Sequence, residues 1–106
     1  MNEMNAIVTG ATKGMGRAIA WRLAQNNYNL FLCSRNQEEL DAFRAELLTD
    51  FPGISVFCKA VDISRPVELA EFADYVQANC EFLDVLINNA GLFLPASILE
   101  EEGMVL

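Results

Sequence analysis

Histidine is absent from the 106 residues, and only seven are lysine or arginine against fifteen aspartate or glutamate. The absence of histidine and of a Cys-x-x-Cys pair argues against a zinc site. The net charge of −8 argues against nucleic acid and against anionic membrane surfaces, both of which call for basic patches. Solubility is the plain reason for the acidity. Cys33, Cys58 and Cys80 give an odd count with no metal-like spacing. Cys33 and Cys58 fall in stretches of strand character, where cysteine acts as a small apolar residue. No apolar run approaches the roughly 20 residues that span a bilayer. The opening Met1-Asn2-Glu3-Met4-Asn5 has neither the basic region nor the long apolar region of a signal peptide. A cytoplasmic, reducing setting, with neither nucleic acid nor membrane as partner, fits these absences.

Hydrophobic residues make up 53% of the chain, which excludes a disordered polymer. The length suffices for one small domain with a single core. Met4 to Thr9 reads as a first strand. A helix is expected over Met15 to Asn27, with Met15, Ile19 and Leu23 spaced by four, Ala18 beside them, and Arg17, Arg22 and Gln25 off that stripe. Asn29 to Ser34 is a nearly all-apolar run, as in a parallel strand buried on both faces. Asn36 offers a helix cap with Glu39 three residues on. Leu40, Phe43, Leu47 and Phe51 then line one side of a helix to about Asp50.

Pro52-Gly53 marks a turn, and Ser55 to Val61 a third strand. Ser64 is the expected cap of a third helix, with Pro66 in its first turn and Leu69, Ala73, Val76 and Cys80 as its apolar stripe. Asp84 to Asn88 is the fourth strand. Ser97, with Glu100 three residues on, offers another helix start. Strand and helix alternate without exception, the pattern of an α/β parallel sheet with right-handed crossovers. Three βα units and a fourth strand give the first half of a doubly wound fold in the order 3-2-1-4.

The stretch Thr9-Gly10-Ala11-Thr12-Lys13-Gly14-Met15-Gly16 joins the first strand to the first helix. Free N–H groups and a positive helix dipole suit such a junction to a phosphate. Gly10 allows a tight turn, and Gly14 and Gly16 let a diphosphate and a neighbouring strand come close. The spacing Gly10-x-x-x-Gly14-x-Gly16 after Thr9, together with Asn88-Asn89-Ala90-Gly91 at the end of the fourth strand, closely resembles the short-chain dehydrogenase/reductase family. The resemblance covers almost the whole chain. It implies a Rossmann-type sheet, a nicotinamide cofactor and hydride transfer to or from a small-molecule carbonyl or alcohol.

The end of the second strand selects the cofactor. A carboxylate there would bind the ribose 2′-OH of NAD and repel a 2′-phosphate. The residues present are Ser34 and Arg35, which can donate to a phosphate, and Lys13 adds a second cation. In proteins resembling this one those basic positions go with NADP(H). The competing reading makes Lys13 and Arg35 ordinary surface charges. The resemblance further implies that Asp62 binds the adenine amino group, that Ile63 lies beside the ring, and that Asn89, Ala90 and Gly91 brace the sheet near the cofactor ribose. Asp62 could equally serve as a helix-entry carboxylate.

The family's catalytic tyrosine, with a lysine four residues later, is not identifiable. Tyr28 and Tyr75 are followed four positions on by Leu32 and Asn79. The family runs to about twice this length. The expectation is therefore a truncated chain: residues 1–106 form the cofactor-binding N-terminal part of one Rossmann domain, catalytically inactive alone. Its fourth strand would offer an apolar edge prone to self-association. The parent reaction would be NADP(H)-dependent oxidoreduction, with 3-oxoacyl-acyl-carrier-protein reduction as one example. The alternatives are a noncatalytic NADP-binding or sensing module and a receiver-like regulator. The second lacks the carboxylates that Mg²⁺ would need after the first strand.

Overall fold

The computed structural model describes residues 4–89. Seven elements follow one another as β1 (Asn5–Thr9), α1 (Gly14–Gln25), β2 (Asn29–Ser34), α2 (Gln37–Asp50), β3 (Val56–Ala60), α3 (Pro66–Asn79) and β4 (Val85–Asn88). All three strand pairings are parallel, in the order β3-β2-β1-β4. The chain thus works outward from β1 through β2 to β3, then crosses back to the other side of β1. That reversal leaves the C-terminal ends of β1 and β4 side by side with the glycine loop between them and α1. The Ser97 helix start, together with Ala90 and Gly91, lies outside the described residues.

Period-two alternation sorts the strand residues between two layers. Ala6, Val8, Leu30, Leu32 and Val56 point to the side of α1 and α2, where Leu40, Phe43 and Leu47 meet them. Ile7, Phe31, Cys33 and Leu86 point to the opposite side, against Leu69, Phe72 and Val76 of α3. Phe31 and Phe57, paired across β2 and β3, stack at 4.6 Å, and the Tyr75 ring meets both edge-on. Every residue of β1 is buried, as expected of a central strand.

The first helix corrects the sequence reading. Its buried residues are Gly16, Ala20 and Ala24, not the Met15, Ile19 and Leu23 stripe; Met15 is 71% exposed. The reason is distance. A Cβ on Gly16 would collide with the Gly10 carbonyl and with Asn89 Nδ2, so the helix lies too close to the sheet for large side chains. Arg17, expected off the packed face, is half-buried. Its guanidinium sits 4.4 Å above the Phe43 ring and its Nη2 lies 2.7 Å from Glu46 Oε1, joining α1 to α2. The helix ends at Gln25, with Asn26 as its C-cap. Asn27 takes φ 68°, and the N–H groups of Asn27 and Tyr28 return to the Ala24 and Leu23 carbonyls, closing the last turn.

Asn36 caps α2, its side chain accepting from the Glu39 N–H at 3.1 Å. Two readings of α3 change. Phe72 rather than Ala73 carries the middle of its buried face. Ser64 is not its cap: the cap position is Arg65, and Ser64 instead donates from both its N–H and its hydroxyl to Asp62 Oδ1.

The two glycines of the α1 entry answer to different constraints. Gly14 has φ +55° but open space around its missing Cβ, whereas Gly16 has no room. Gly14→Asn is expected to cost under about 1 kcal/mol, because asparagine tolerates the left-handed region. Gly16→Ala should cost about 1–3 kcal/mol through overpacking. Urea-unfolding midpoints of the two variants check the order.

Candidate functional site

A cleft of about 610 Å³ opens at the C-terminal ends of β1, β2 and β3, lined among others by Gly10, Thr12, Lys13, Ser34, Arg35, Asp62 and Ile63. Seven of the residues singled out in the sequence therefore share one cavity. It lies where ligands collect in open α/β sheets. Its roof is the glycine loop. The Ala11 N–H donates to the Cys33 carbonyl at 3.3 Å, fixing the loop across the end of β2.

The start of α1 is left bare. No side chain caps it, no acid stands in its first turn, and its first main-chain bond runs from the Arg17 N–H to the Lys13 carbonyl at 3.3 Å. The N–H groups of Gly14, Met15 and Gly16 precede that bond and are the unsatisfied donors of a helix start. Gly14 and Met15 are exposed at this corner, and Gly16 lies buried beneath it.

The other predicted residues hold the corner in shape. Thr9 is buried, its Oγ1 3.2 Å from Asn88 Oδ1 and 3.4 Å from the Ile87 carbonyl, donating to one of them. Asn89 Nδ2 donates to the Gly10 carbonyl at 3.2 Å. The end of β4 is thus tied to the loop by neutral hydrogen bonds, so the brace adds no charge to the corner.

Charge in the cleft is mixed. Arg35 is exposed and makes no ion pair among the described residues. Lys13 Nζ lies 3.8 Å from Glu39 Oε2. The Asp62 carboxyl is held below the usual carboxylate range, chiefly by the Ser64 hydroxyl and N–H, with Arg35 and Arg65 adding smaller attractions. Ser34 is drawn into the turn: the Asn36 N–H donates to its Oγ at 3.3 Å.

Sequence reasoning missed Cys33, Asn36, Glu39, Val61 and Ser64 as lining residues. Glu39 had a legible signal. Its partner in a capping box would be the Asn36 N–H, but Ser34 already takes that donor, so the carboxylate is left to reach across to Thr12 and Lys13.

Neither tyrosine belongs to the cleft. Tyr28 directly precedes the N-terminal end of β2, opposite the cavity. Tyr75 packs on the sheet, its hydroxyl donating to the Cys58 carbonyl at 3.4 Å. Burial chiefly raises its pKa, with Cys58 adding to the rise, the reverse of what proton transfer near neutral pH requires. Among the described residues no cluster of three or more His, Cys, Asp or Glu could hold a metal ion. No described helix is long and apolar enough to cross a membrane.

An open parallel sheet in this order, with a glycine loop leading its central strand into a helix, is the Rossmann-type doubly wound architecture. The short chain dehydrogenase family model matches residues 4–104, and the chain belongs to that family. It is 36% identical over 89 residues to the NADPH-dependent reductase BacG of Bacillus subtilis, covering 84% of this chain and 34% of that protein. It superimposes on the alcohol dehydrogenase of the archaeon Thermococcus sibiricus, complexed with 5-hydroxy-NADP, with a TM-score of 0.81 and 31% identity, over 95% of this chain and 46% of that one. L-sorbose reductase from Gluconobacter frateurii, complexed with NADPH and L-sorbose, gives a TM-score of 0.80 and 29% identity, over 87% of this chain and 35% of that one. The chain spans about a third of the length of the curated relatives it matches.

The thiols of β2 and β3 give a direct check on the packing of the sheet, Cys33 at the cleft and Cys58 away from it. Burial pushes the Cys33 thiol up to about 12, partly offset by a main-chain hydrogen bond with Gly10, and the Cys58 thiol up to about 11. Both folded values lie above the ordinary value of 9.0. Their contribution to stability is therefore complete below pH 9 and is lost as pH rises from there toward the folded values. Iodoacetamide at pH 8 is expected to leave Cys33 and Cys58 unmodified in folded protein and to modify both in urea, read by peptide mass spectrometry.

Proposed function

We propose that the cleft is an NADP(H) site and that the chain supplies the cofactor-binding part of an oxidoreductase. The observation that carries this reading is one cleft shared by Arg35, which makes no ion pair among the described residues, and by Gly10, Thr12 and Lys13 of the loop that leads into the uncapped start of α1. The diphosphate would rest on main-chain N–H groups between Gly10 and Gly16, with Thr12 at its side. The 2′-phosphate would lie among Ser34, Arg35 and Lys13, where no carboxylate ends β2. Asp62 Oδ1 is committed to Ser64, which leaves Oδ2 for the adenine amino group, and Ile63 flanks the ring. Asn89, with Ala90 and Gly91 following it, would border the ribose. The relatives named as NADPH-dependent, or solved with NADPH or an NADP derivative, support the same cofactor.

The bound nicotinamide would supply the hydride, exchanged with a small-molecule carbonyl or alcohol. The residues of the cleft would bind and orient it, and none of them among the described residues is a tyrosine that could pass a proton to the substrate. These 106 residues contain no Tyr-x-x-x-Lys, and both tyrosines stand away from the cleft. We therefore infer no turnover from this chain alone. 3-Oxoacyl reduction is one reaction of this chemical type. The reading as a noncatalytic NADP sensor predicts the same binding, and only turnover of a longer chain with a carbonyl substrate separates the two. Self-association is proposed through β4, which pairs with β1 alone among the described residues; light scattering of a concentrated sample should show species larger than the monomer.

The cofactor assignment is tested by titrating NADPH and NADH against the wild type and Arg35→Asp. Wild type is expected to prefer NADPH. The variant should lose about 1.5–3 kcal/mol of NADPH binding, the worth of a hydrogen bond to a charged group, while NADH holds. Equal affinities in the wild type would overturn the assignment.

A further inference from the structure

Glu39 stands inside the cleft and has no part in the cofactor reading above. It occupies the third position of α2, where its own N–H is capped by Asn36. Its two carboxylate oxygens reach adjacent members of the glycine loop. Thr12 Oγ1 donates to Oε1 at 3.1 Å, and Lys13 Nζ lies 3.8 Å from Oε2. The Lys13 side chain is 81% exposed and that of Glu39 40%, so the ion pair is solvated and weak, and Lys13 is free to exchange its partner. The hydroxyl contact is shorter and ties the loop to α2.

We propose that Glu39 sets the preference between the two nicotinamide cofactors, by competing for Lys13 with the anion that the cleft receives. This rests on the NADP(H) reading. The carboxylate does two separable things. Through Oε1 it clasps Thr12, holding the loop for either cofactor. Through its charge it neutralises Lys13 and repels a phosphate at Arg35 and Ser34. The first effect is common to NADPH and NADH. The second falls mainly on NADPH, which alone carries the 2′-phosphate. Wild type thus discriminates less than its two cations would allow. Asp62, the other carboxylate of the cleft, is engaged by Ser64 and makes no ion pair with Lys13.

Glu39→Gln separates the two effects, since the amide oxygen still accepts from Thr12 while the charge is gone. Calorimetric titration of NADPH and NADH is expected to show the NADPH-to-NADH affinity ratio rising roughly two- to fivefold over wild type, the range of a solvated ion pair. The gain should shrink as salt is raised. Glu39→Ala removes clasp and charge together. Both affinities should fall relative to Glu39→Gln, yet the ratio should still exceed that of wild type. Far-UV circular dichroism checks that each variant is folded. A ratio unchanged or lowered in both variants, with wild type preferring NADPH, would overturn the role of Glu39 and leave the cofactor assignment standing. Wild type that binds neither cofactor, or both equally, would overturn the assignment and this inference with it.

Discussion

The close approach of α1 to the end of β1 governs the rest of the molecule. Gly16 lies against the Gly10 carbonyl with no space for a methyl group. That contact draws the first turn of the helix down onto the central strand. It forces alanine at the next two buried positions, Ala20 and Ala24, because larger residues would lift the helix away. The helix start carries no capping side chain, because its N-cap residue is Lys13, which has no acceptor to offer. With no cap and no acid in that first turn, its main-chain donors are left to an anion.

Two further constraints keep that corner rigid. From one side, Asn88 and Asn89 at the end of β4 bond to Thr9 and Gly10. From the other, Glu39 of α2 bonds to Thr12. A preformed loop loses less entropy when it binds than a floppy one would. The polar ends of the strands opposite the cleft are fixed in the same manner. Asn5 Nδ2 donates to the Phe82 carbonyl, Asn29 Nδ2 to Asn5 Oδ1, and the Ser55 N–H to Asn29 Oδ1. Asparagine side chains thus brace both ends of the sheet, joined by the carboxylates of Glu39 at one end and Asp84 at the other.

Much of this was legible in the residues, and the exceptions share a cause. The alternation of elements and the strand order followed from the pattern of apolar runs, and the gathering of loop, Arg35 and Asp62 at one end from the family resemblance that the glycine and asparagine motifs carry. The face of α1 did not. Large apolar residues ordinarily mark the buried side of a helix, but at a close helix–sheet contact the buried side is made of the smallest ones. Met15 therefore lies outside and Gly16 inside. In α3 the expected stripe steps four then three from Leu69 through Ala73 to Val76, whereas the buried face steps three then four, over Leu69, Phe72 and Val76. Ser64 looked like a cap because it precedes Pro66, yet the Asp62 carboxylate offered its N–H and hydroxyl a nearer acceptor. Glu39 was read along its own helix, whereas its partners stand on a loop 27 residues away in sequence, a contact that only the adjacency of β1 and β2 creates.

The central claim is that a diphosphate settles on bare main chain where β1 passes into α1. Amide NMR of ¹⁵N-labelled protein during NADPH titration tests it at the atoms concerned. The account predicts that the N–H resonances of Gly14, Met15 and Gly16 shift together and saturate with the Ser34 and Arg35 amides, while those at the far end of the sheet, such as Asn29 and Ser55, stay in place. Saturable binding that leaves the Gly14, Met15 and Gly16 amides unmoved would contradict it.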